Sequence, residues 1–334
     1  MEESFAVSQK KGITGTGLKI IAMVAMFIDH FAAILISDYL ESIIPNISQP
    51  ELQEWFMEHR MVAVLEMVMG IMRLIGRFGF PLFAFLLVEG FTHTRSVKKY
   101  AINLGIFALI SELPFNLGFS SILFFPGYQN VFFTLLLGLL CIASISGLCE
   151  HQRENEQMKP LFYLAALLSG PFAVYMLVKN AWVVYLFWQP DGDRLLIAMG
   201  IAAVLSLAVF AFLGRKWDSS QKNIFTFTVF PLIVFAMAAE FLMTDYSGGG
   251  VLTIVCMYLL RKKRKLAFSI GMVVLTLMSP AEATAFLMLI PLSKYNGERG
   301  MKINKYFFYA FYPLHIGLLY LITLLLGFTT FALH

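Results

Sequence analysis

From residue 17 to residue 331 the chain is a succession of apolar runs broken by short polar connectors, and few folds tolerate that pattern. Eleven runs stand out, at roughly 17–37, 62–92, 100–118, 131–149, 161–178, 194–214, 224–243, 249–260, 266–279, 282–292 and 306–331. A bilayer core takes about 20 apolar residues per helix. Of the 334 residues, 59% are hydrophobic and 14% charged. A soluble globule of this size could not hide that much apolar surface. Disorder, a collagen-like chain and a disulfide scaffold are excluded by the same composition. The runs are apolar on all sides, without the alternation of a barrel strand. The expected fold is therefore all-α, a polytopic helical membrane protein of about 10–11 transmembrane helices. Residues 1–16 are read as a polar tail and 17–334 as one transmembrane unit. Gly79 and Pro81 predict a break in the second run. The runs at 249–260, 266–279 and 282–292 are short enough to be tilted, re-entrant or merged.

The basic residues set the orientation. With the N-terminus inside, nineteen of the 25 Lys and Arg fall in inside segments. They are Lys10 and Lys11; Arg95, Lys98 and Lys99; Arg153 and Lys159; Arg215, Lys216 and Lys222; Arg261 to Lys265; and Lys294, Arg299, Lys302 and Lys305. Outside segments hold only Arg60, Lys179 and Arg194. This asymmetry follows the positive-inside rule. It places the N-terminus in the cytoplasm, the C-terminus outside and the protein in the cell (cytoplasmic) membrane. The outer loop at 38–60 is acidic, with Asp38, Glu41, Glu51, Glu54 and Glu58. No cleavage pattern follows the tail, so the first run is expected to stay attached as a span. Cys141, Cys149 and Cys256 lie in apolar runs without metal or disulfide spacing and read as small core residues.

Charges inside a bilayer are costly, so those within the spans are the candidates for function. The first span holds Lys19, Asp29 and His30. Lys19 and His30 share one helical face, about 16 Å apart along the axis, with Met23 and Met26 between them. Asp29 points about 100° away from His30, so each needs a partner on another helix. In the second span Glu66, Gly70, Arg73 and Arg77 form one stripe. Its arginines need carboxylates, with Glu66 and Asp29 as candidates, or a bound anion. A planar, permanently charged guanidinium suits a phosphate or a developing oxyanion. Glu112 and Asn116 share a face across Pro114, where a helix break would line a cavity. Asp245 and Tyr246 precede three glycines, Gly248 to Gly250. Tyr312 and His315 share a face near Pro313, with His315 at a depth comparable to His30. Two histidines at one depth raise a metal pair, but no third ligand has metal spacing, so no metal is expected. Proton handling by a histidine is the stronger reading.

In order along the chain, these segments resemble the TraX family. They are Leu18 to Met23 leading to Ile28-Asp29-His30; Arg73 through Arg77 and Pro81 to Phe85; Val88 to Phe91 with His93 to Arg95; and Ser111 to Asn116. Asn130 to Thr134 with Leu137-Gly138, Asp245-Tyr246, Tyr295-Asn296-Gly297 with Arg299-Gly300, and Tyr312 to His315 complete the set. The segment 150–240 carries few of these landmarks. The resemblance implies an integral membrane acetyltransferase that uses cytosolic acetyl-CoA as donor. TraX proteins are named for N-acetylation of the pilin subunit in conjugation. On that basis His30 acts as base or acetyl carrier, with Asp29, Glu112 and His315 around it. Arg73, Arg77 or Asn116 would bind the oxyanion. Lys19, Arg95, Lys98 and Lys99 would hold the phosphates of acetyl-CoA, and Asp245 and Tyr246 would face the acceptor, a peptide or glycan. The expected partners are acetyl-CoA, the acceptor and the lipid bilayer; no nucleic acid is expected, and the oligomeric state is open. Two other classes use similar residues. A proton-coupled transporter would line a relay with His, Asp and Arg, but no inverted repeat or matched pair of broken helices is visible. A scaffold for secretion or pilus assembly would use the same residues as structural glue.

Overall fold

The computed structural model describes residues 11–150 and 159–329, so Lys10 and Arg153 lie outside the described residues. The first span is composite. Helix α1 (Gly15–His30) passes into a π-helical stretch, Phe31–Ile36, and then into α2 (Ser37–Ile43). Its start is pinned. Thr14 caps the helix, accepting from Gly17 N at 3.2 Å. The orphan N–H groups of Gly15 and Thr16 donate to Glu298 O and Arg299 O at 2.8 and 2.9 Å. Ile13 pairs with Tyr295 in a parallel bridge. The entry of the first span is thus tied to the connector that precedes the last.

Outside this span, α3 (Gln49–Glu58) covers the acidic loop. The second span is α4 (Arg60–Gly76) and α5 (Gly79–His93), broken at Arg77 and Phe78 as Gly79 and Pro81 predict. Next come α6 (Val97–Ser120), α7 (Val131–Glu150), α8 (Lys159–Asn180), the short α9 (Trp182–Phe187), α10 (Gly192–Leu213) and α11 (Ser219–Phe241). Then follow α12 (Ser247–Leu259), α13 (Arg264–Met278), a 3₁₀ segment Pro280–Met288, α14 (Leu289–Ser293) and α15 (Lys305–Leu325). Among the described residues, eight helices are long and apolar enough to cross a membrane. The runs at 249–260, 266–279 and 282–292 appear as shorter elements. The expected break at Pro114 does not occur: α6 runs through it. Only one backbone hydrogen bond is lost at a proline, and α7 and α15 pack against the segment and support it.

Lipid tails are as apolar as leucine, so helices in a bilayer associate through close fit rather than water exclusion. The core, with Leu18, Leu82, Leu139, Ile254, Phe268, Met272 and Ile316 fully buried, closes over small residues. A Cβ at Gly138 would collide with Ile254, one at Gly249 with Met278, and one at Gly271 with Met257. These glycines let α7, α12 and α13 approach closely. By contrast α10 packs mainly on α8, and no residue of its apolar stretch is buried.

Candidate functional site

The pinned entries of α1 and α15 set their faces against each other. Lys19 Nζ lies 5.0 Å from the centre of the Phe308 ring. Eleven residues further along the same face, His30 Nδ1 meets His315 Nε2 at 2.7 Å. The two imidazoles are parallel to within 4°, and both are buried. Phe119 and Tyr312 meet the His30 ring edge-on, at 5.4 and 5.6 Å. The face between Lys19 and His30 is packed. Met23 is buried, and the backbone of Met26 and Ala22 packs against Gly79 of α5.

The hydrogen bonds fix the protons. His315 Nδ1 lies 2.6 Å from Phe311 O, a carbonyl that only accepts. His315 Nδ1 therefore carries hydrogen. In the neutral ring Nε2 then offers a lone pair, so His30 Nδ1 must donate to it. His30 Nε2 is left as the basic nitrogen. It stands 3.9 Å from Asp29 Oδ2, beyond hydrogen-bond reach but close enough for a charge on the ring to be felt. His30 is thus oriented by His315. Glu112, expected around His30, accepts from Asn130 Nδ2 at 2.6 Å.

Asp29 is the hub of the second half of the cluster. Arg73 Nη1 lies 2.6 Å from Asp29 Oδ2, and Arg77 Nη2 lies 3.7 Å from Oδ1. Gly76 makes this fit possible, because a Cβ there would overlap the Asp29 carboxylate. Arg77 Nη1 also pairs with Glu282 Oε1 at 3.2 Å, and its Nε donates to Arg73 O at 3.2 Å. Arg77 is therefore occupied on three sides, whereas Arg73 keeps guanidinium donors free of carboxylate. The expected role of Glu66 fails: it is exposed and forms no ion pair among the described residues. It lies two helical turns from Arg73, toward the N-terminal end of α4. Its place is taken by Glu282, 2% exposed in the 3₁₀ segment. Thr284 of the same segment donates to Leu74 O at 2.9 Å, satisfying a carbonyl near the end of α4. Asp29 Oδ1, Glu282 Oε2 and Asn116 Oδ1 are buried without a hydrogen-bond partner in the protein. All three are acceptors, so the site asks for donors.

A strained turn flanks the cluster. Met243, Tyr246 and Ser247 all take positive φ without being glycine, a costly arrangement that clusters at functional sites. Tyr246 stacks on Phe80, centroids 3.9 Å apart. Tyr128 OH donates to Asp245 Oδ1 at 2.9 Å, Asp245 N donates to Gln129 O at 2.8 Å, and Thr134 Oγ1 donates to Asp245 O. Asp245 and Tyr246 therefore belong to a built substructure with Tyr128 and Thr134. Asn116 is buried one turn before Phe119 on α6. Arg95, Lys98 and Lys99 are exposed at the turn between α5 and α6, apart from the histidines.

Sequence reasoning missed Glu282, Tyr128 and the π segment that starts directly after His30. A π turn carries an extra residue and often marks a functional site. Glu282 carried a signal: it is an acid at the head of an apolar run.

The comparisons bear on this cluster as a whole. A protein of Dichelobacter nodosus described as probable fimbrial assembly protein FimC, serogroup H1, is 27% identical over 208 residues, covering 58% of this chain and 72% of the relative. No solved structure matches the chain. The family described as TraX protein matches residues 14–212 and 199–323. Those matches take in His30, Asp29, Arg73, Arg77, Glu282 and His315, and on that footing the chain belongs to the TraX family.

Proposed function

We propose that this protein is a membrane-embedded acetyltransferase. It moves an acetyl group from acetyl-CoA to an acceptor amine or hydroxyl, on a peptide N-terminus or a sugar, at or across the membrane. The observation that carries the reading is the hydrogen-bond chain from Phe311 O through His315 to His30, which leaves His30 Nε2 as a lone pair inside an apolar bundle. A positioned imidazole of this kind is the commonest general base. His30 Nε2 takes the proton from the acceptor as its nitrogen or oxygen attacks the thioester carbonyl. The new charge on the ring arises 3.9 Å from Asp29. The oxyanion that develops at the carbonyl is met by Arg73, whose guanidinium is the less occupied of the two. As the tetrahedral intermediate collapses, the C–S bond breaks and His30 returns its proton to the leaving thiolate. The unpartnered oxygens of Asp29, Glu282 and Asn116 suit an acceptor that brings N–H or O–H donors. A relative described as a fimbrial assembly protein fits a protein acceptor.

The test uses the full chain in nanodiscs, with acetyl-CoA, a panel of peptide and amino-sugar acceptors, and thiol release as readout. His30→Ala is expected to lower turnover by about 10²–10⁴-fold with an unchanged melting temperature. Wild-type turnover in a folded His30→Ala protein would overturn the base assignment. Proton-gradient-dependent uptake without thioester consumption would replace the reading with a transporter.

A further inference from the structure

The basic turn between α12 and α13 places Arg261, Lys262, Lys263, Arg264 and Lys265 in succession, and the fold gives each a different status. Arg264 is locked. Its Nη2 and Nε lie 3.2 and 3.3 Å from the two oxygens of Glu89 on α5. Its guanidinium lies 4.9 Å from the centre of the Tyr295 ring, and Tyr295 OH donates to Glu89 Oε2 at 3.3 Å. Gly297, at φ +81, leaves room for the same guanidinium. Arg261 lies 4.1 Å over the Tyr258 ring and donates to Tyr258 O at 2.8 Å. Lys262, Lys263 and Lys265 have no carboxylate partner among the described residues. Arg264 thus neutralises Glu89 and fixes the turn, and the three lysines keep their charge without an ion pair among the described residues.

These residues line an open depression of about 700 Å³, together with Glu89 and Thr92. A second depression of about 570 Å³ shares Thr92 and Arg261 with the first. Its walls differ: Phe91 and Tyr258 are aromatic, and Ser146 and Glu150 are polar. Ser146 Oγ donates to Glu150 Oε1 at 2.9 Å, which leaves carboxylate oxygen to accept from a ligand. No described residue stands within 4 Å of the Cβ position of Gly147, which lines the second depression. The turn bearing Arg95, Lys98 and Lys99 borders the pair, through Thr92 and Val97.

From the pairing of a cationic half with a half lined by Phe91, Ser146 and Glu150, we propose that this is the binding site for the nucleoside-phosphate portion of a ligand. The phosphates lie on Lys262, Lys263 and Lys265, and the base lies against Phe91 beside Glu150, to which it offers an exocyclic amine. The identification of that ligand with the acyl donor rests on the acetyltransferase reading; the site itself does not. Ten residues of α5 separate Gly79, packed on α1, from Glu89, a rise of about 15 Å. A donor with its phosphates here needs an extended arm to bring a thioester to His30.

The experiment measures binding of 3′,5′-ADP and of inorganic pyrophosphate to the full chain in neutral-lipid nanodiscs. The variants are the triple K262S/K263S/K265S, which keeps the Arg264–Glu89 pair, and Gly147→Leu, which fills the second depression. The triple is expected to lose at least tenfold in affinity for both ligands. The wild-type affinity should fall steeply with salt, as for other phosphate contacts. Gly147→Leu is expected to lose 3′,5′-ADP and keep pyrophosphate. Unchanged 3′,5′-ADP affinity in the folded triple overturns the site. So does an absence of nucleotide binding in the wild type, with stabilisation appearing only when phosphatidylglycerol is added; that result makes the turn a lipid headgroup contact. If the wild type binds 3′,5′-ADP but consumes no acetyl-CoA, the site stands and the acetyltransferase reading fails. If acetyl-CoA is turned over and the triple leaves KM and affinity unchanged, the reverse holds.

Discussion

The helices around His30 and the hairpin of α8 and α10 are built from the same apolar residues, yet only the first region is a bundle in the mechanical sense. Around His30, six polar side chains from four separate segments (α1, α4 with its C-cap Arg77, the 3₁₀ segment and α15) converge, and each constrains its neighbours. In the hairpin, the contacts are backbone and small-residue contacts. Gly170 lies against the Ala202 carbonyl, Ser206 Oγ donates to Ala166 O at 2.7 Å, and no ion pair links the two helices among the described residues. The two parts of the TraX match meet within α10. The difference teaches that apolar runs place helices in the membrane, but buried charge decides which helices must stay together. A buried charge without its partner is far costlier than a lost apolar contact.

That comparison can be broken most sharply at Arg77. Arg77→Leu leaves Glu282 buried without its cation, while Asp29 keeps Arg73. A loss of about 3–5 kcal/mol is expected, read as a lower melting temperature in detergent. The double variant Arg77→Leu/Glu282→Leu should regain much of it. If the double variant is as unstable as the single, the pair is not what holds the 3₁₀ segment to α4. Next is His315. His315→Phe removes the acceptor of His30 Nδ1–H, and the other tautomer becomes available. Turnover should drop about 10²-fold, with a changed pH profile and little change in melting. His315→Gln, which retains an acceptor oxygen, should recover part of the loss. Equal turnover for Phe and Gln would show that His315 only fills space.

Gly76→Ala sharpens the comparison on a single helix. Its Cβ overlaps the Asp29 carboxylate, whereas a Cβ at Gly70 meets nothing within 4 Å. Gly76→Ala is expected to cost about 1–3 kcal/mol by overpacking and to weaken turnover. Gly70→Ala should be neutral, or stabilising by up to about 1 kcal/mol through helix propensity. The smallest effects belong to the hairpin. Ile201→Ala and Val204→Ala, both more than half exposed on α10, should change stability by less than about 0.5 kcal/mol and leave turnover alone. A large loss of activity from either would show that α10 serves the site.

Much of the fold was legible because bilayer physics leaves few choices. Runs of adequate length become helices, and the break at Gly79 and Pro81 follows from backbone chemistry. The shared faces of Lys19 with His30 and of Tyr312 with His315 follow from 3.6-residue periodicity alone. Partners across helices were not legible to the same degree. Asp29 could be matched to the Arg73–Arg77 stripe because few carboxylates lie at that depth. Glu282 could not, since nothing local reveals that the segment after Met278 folds back to α4 as a 3₁₀ turn. Pro114 misled because a proline's missing donor is tolerated where neighbouring helices support the backbone. The tautomer of His30 was beyond reach as well, because it depends on a carbonyl 281 positions away along the chain.

The clamp between Ile13 and Tyr295, and the histidine pair it aligns, also set a timetable. During synthesis the first span enters the bilayer long before the last. Asp29 meets its arginines as soon as the second span arrives. His30 must wait for α15, some 285 residues later in the chain. In a nascent chain the first two spans are thus joined by charge early on, whereas the His30–His315 pair forms only after α15 has entered the bilayer.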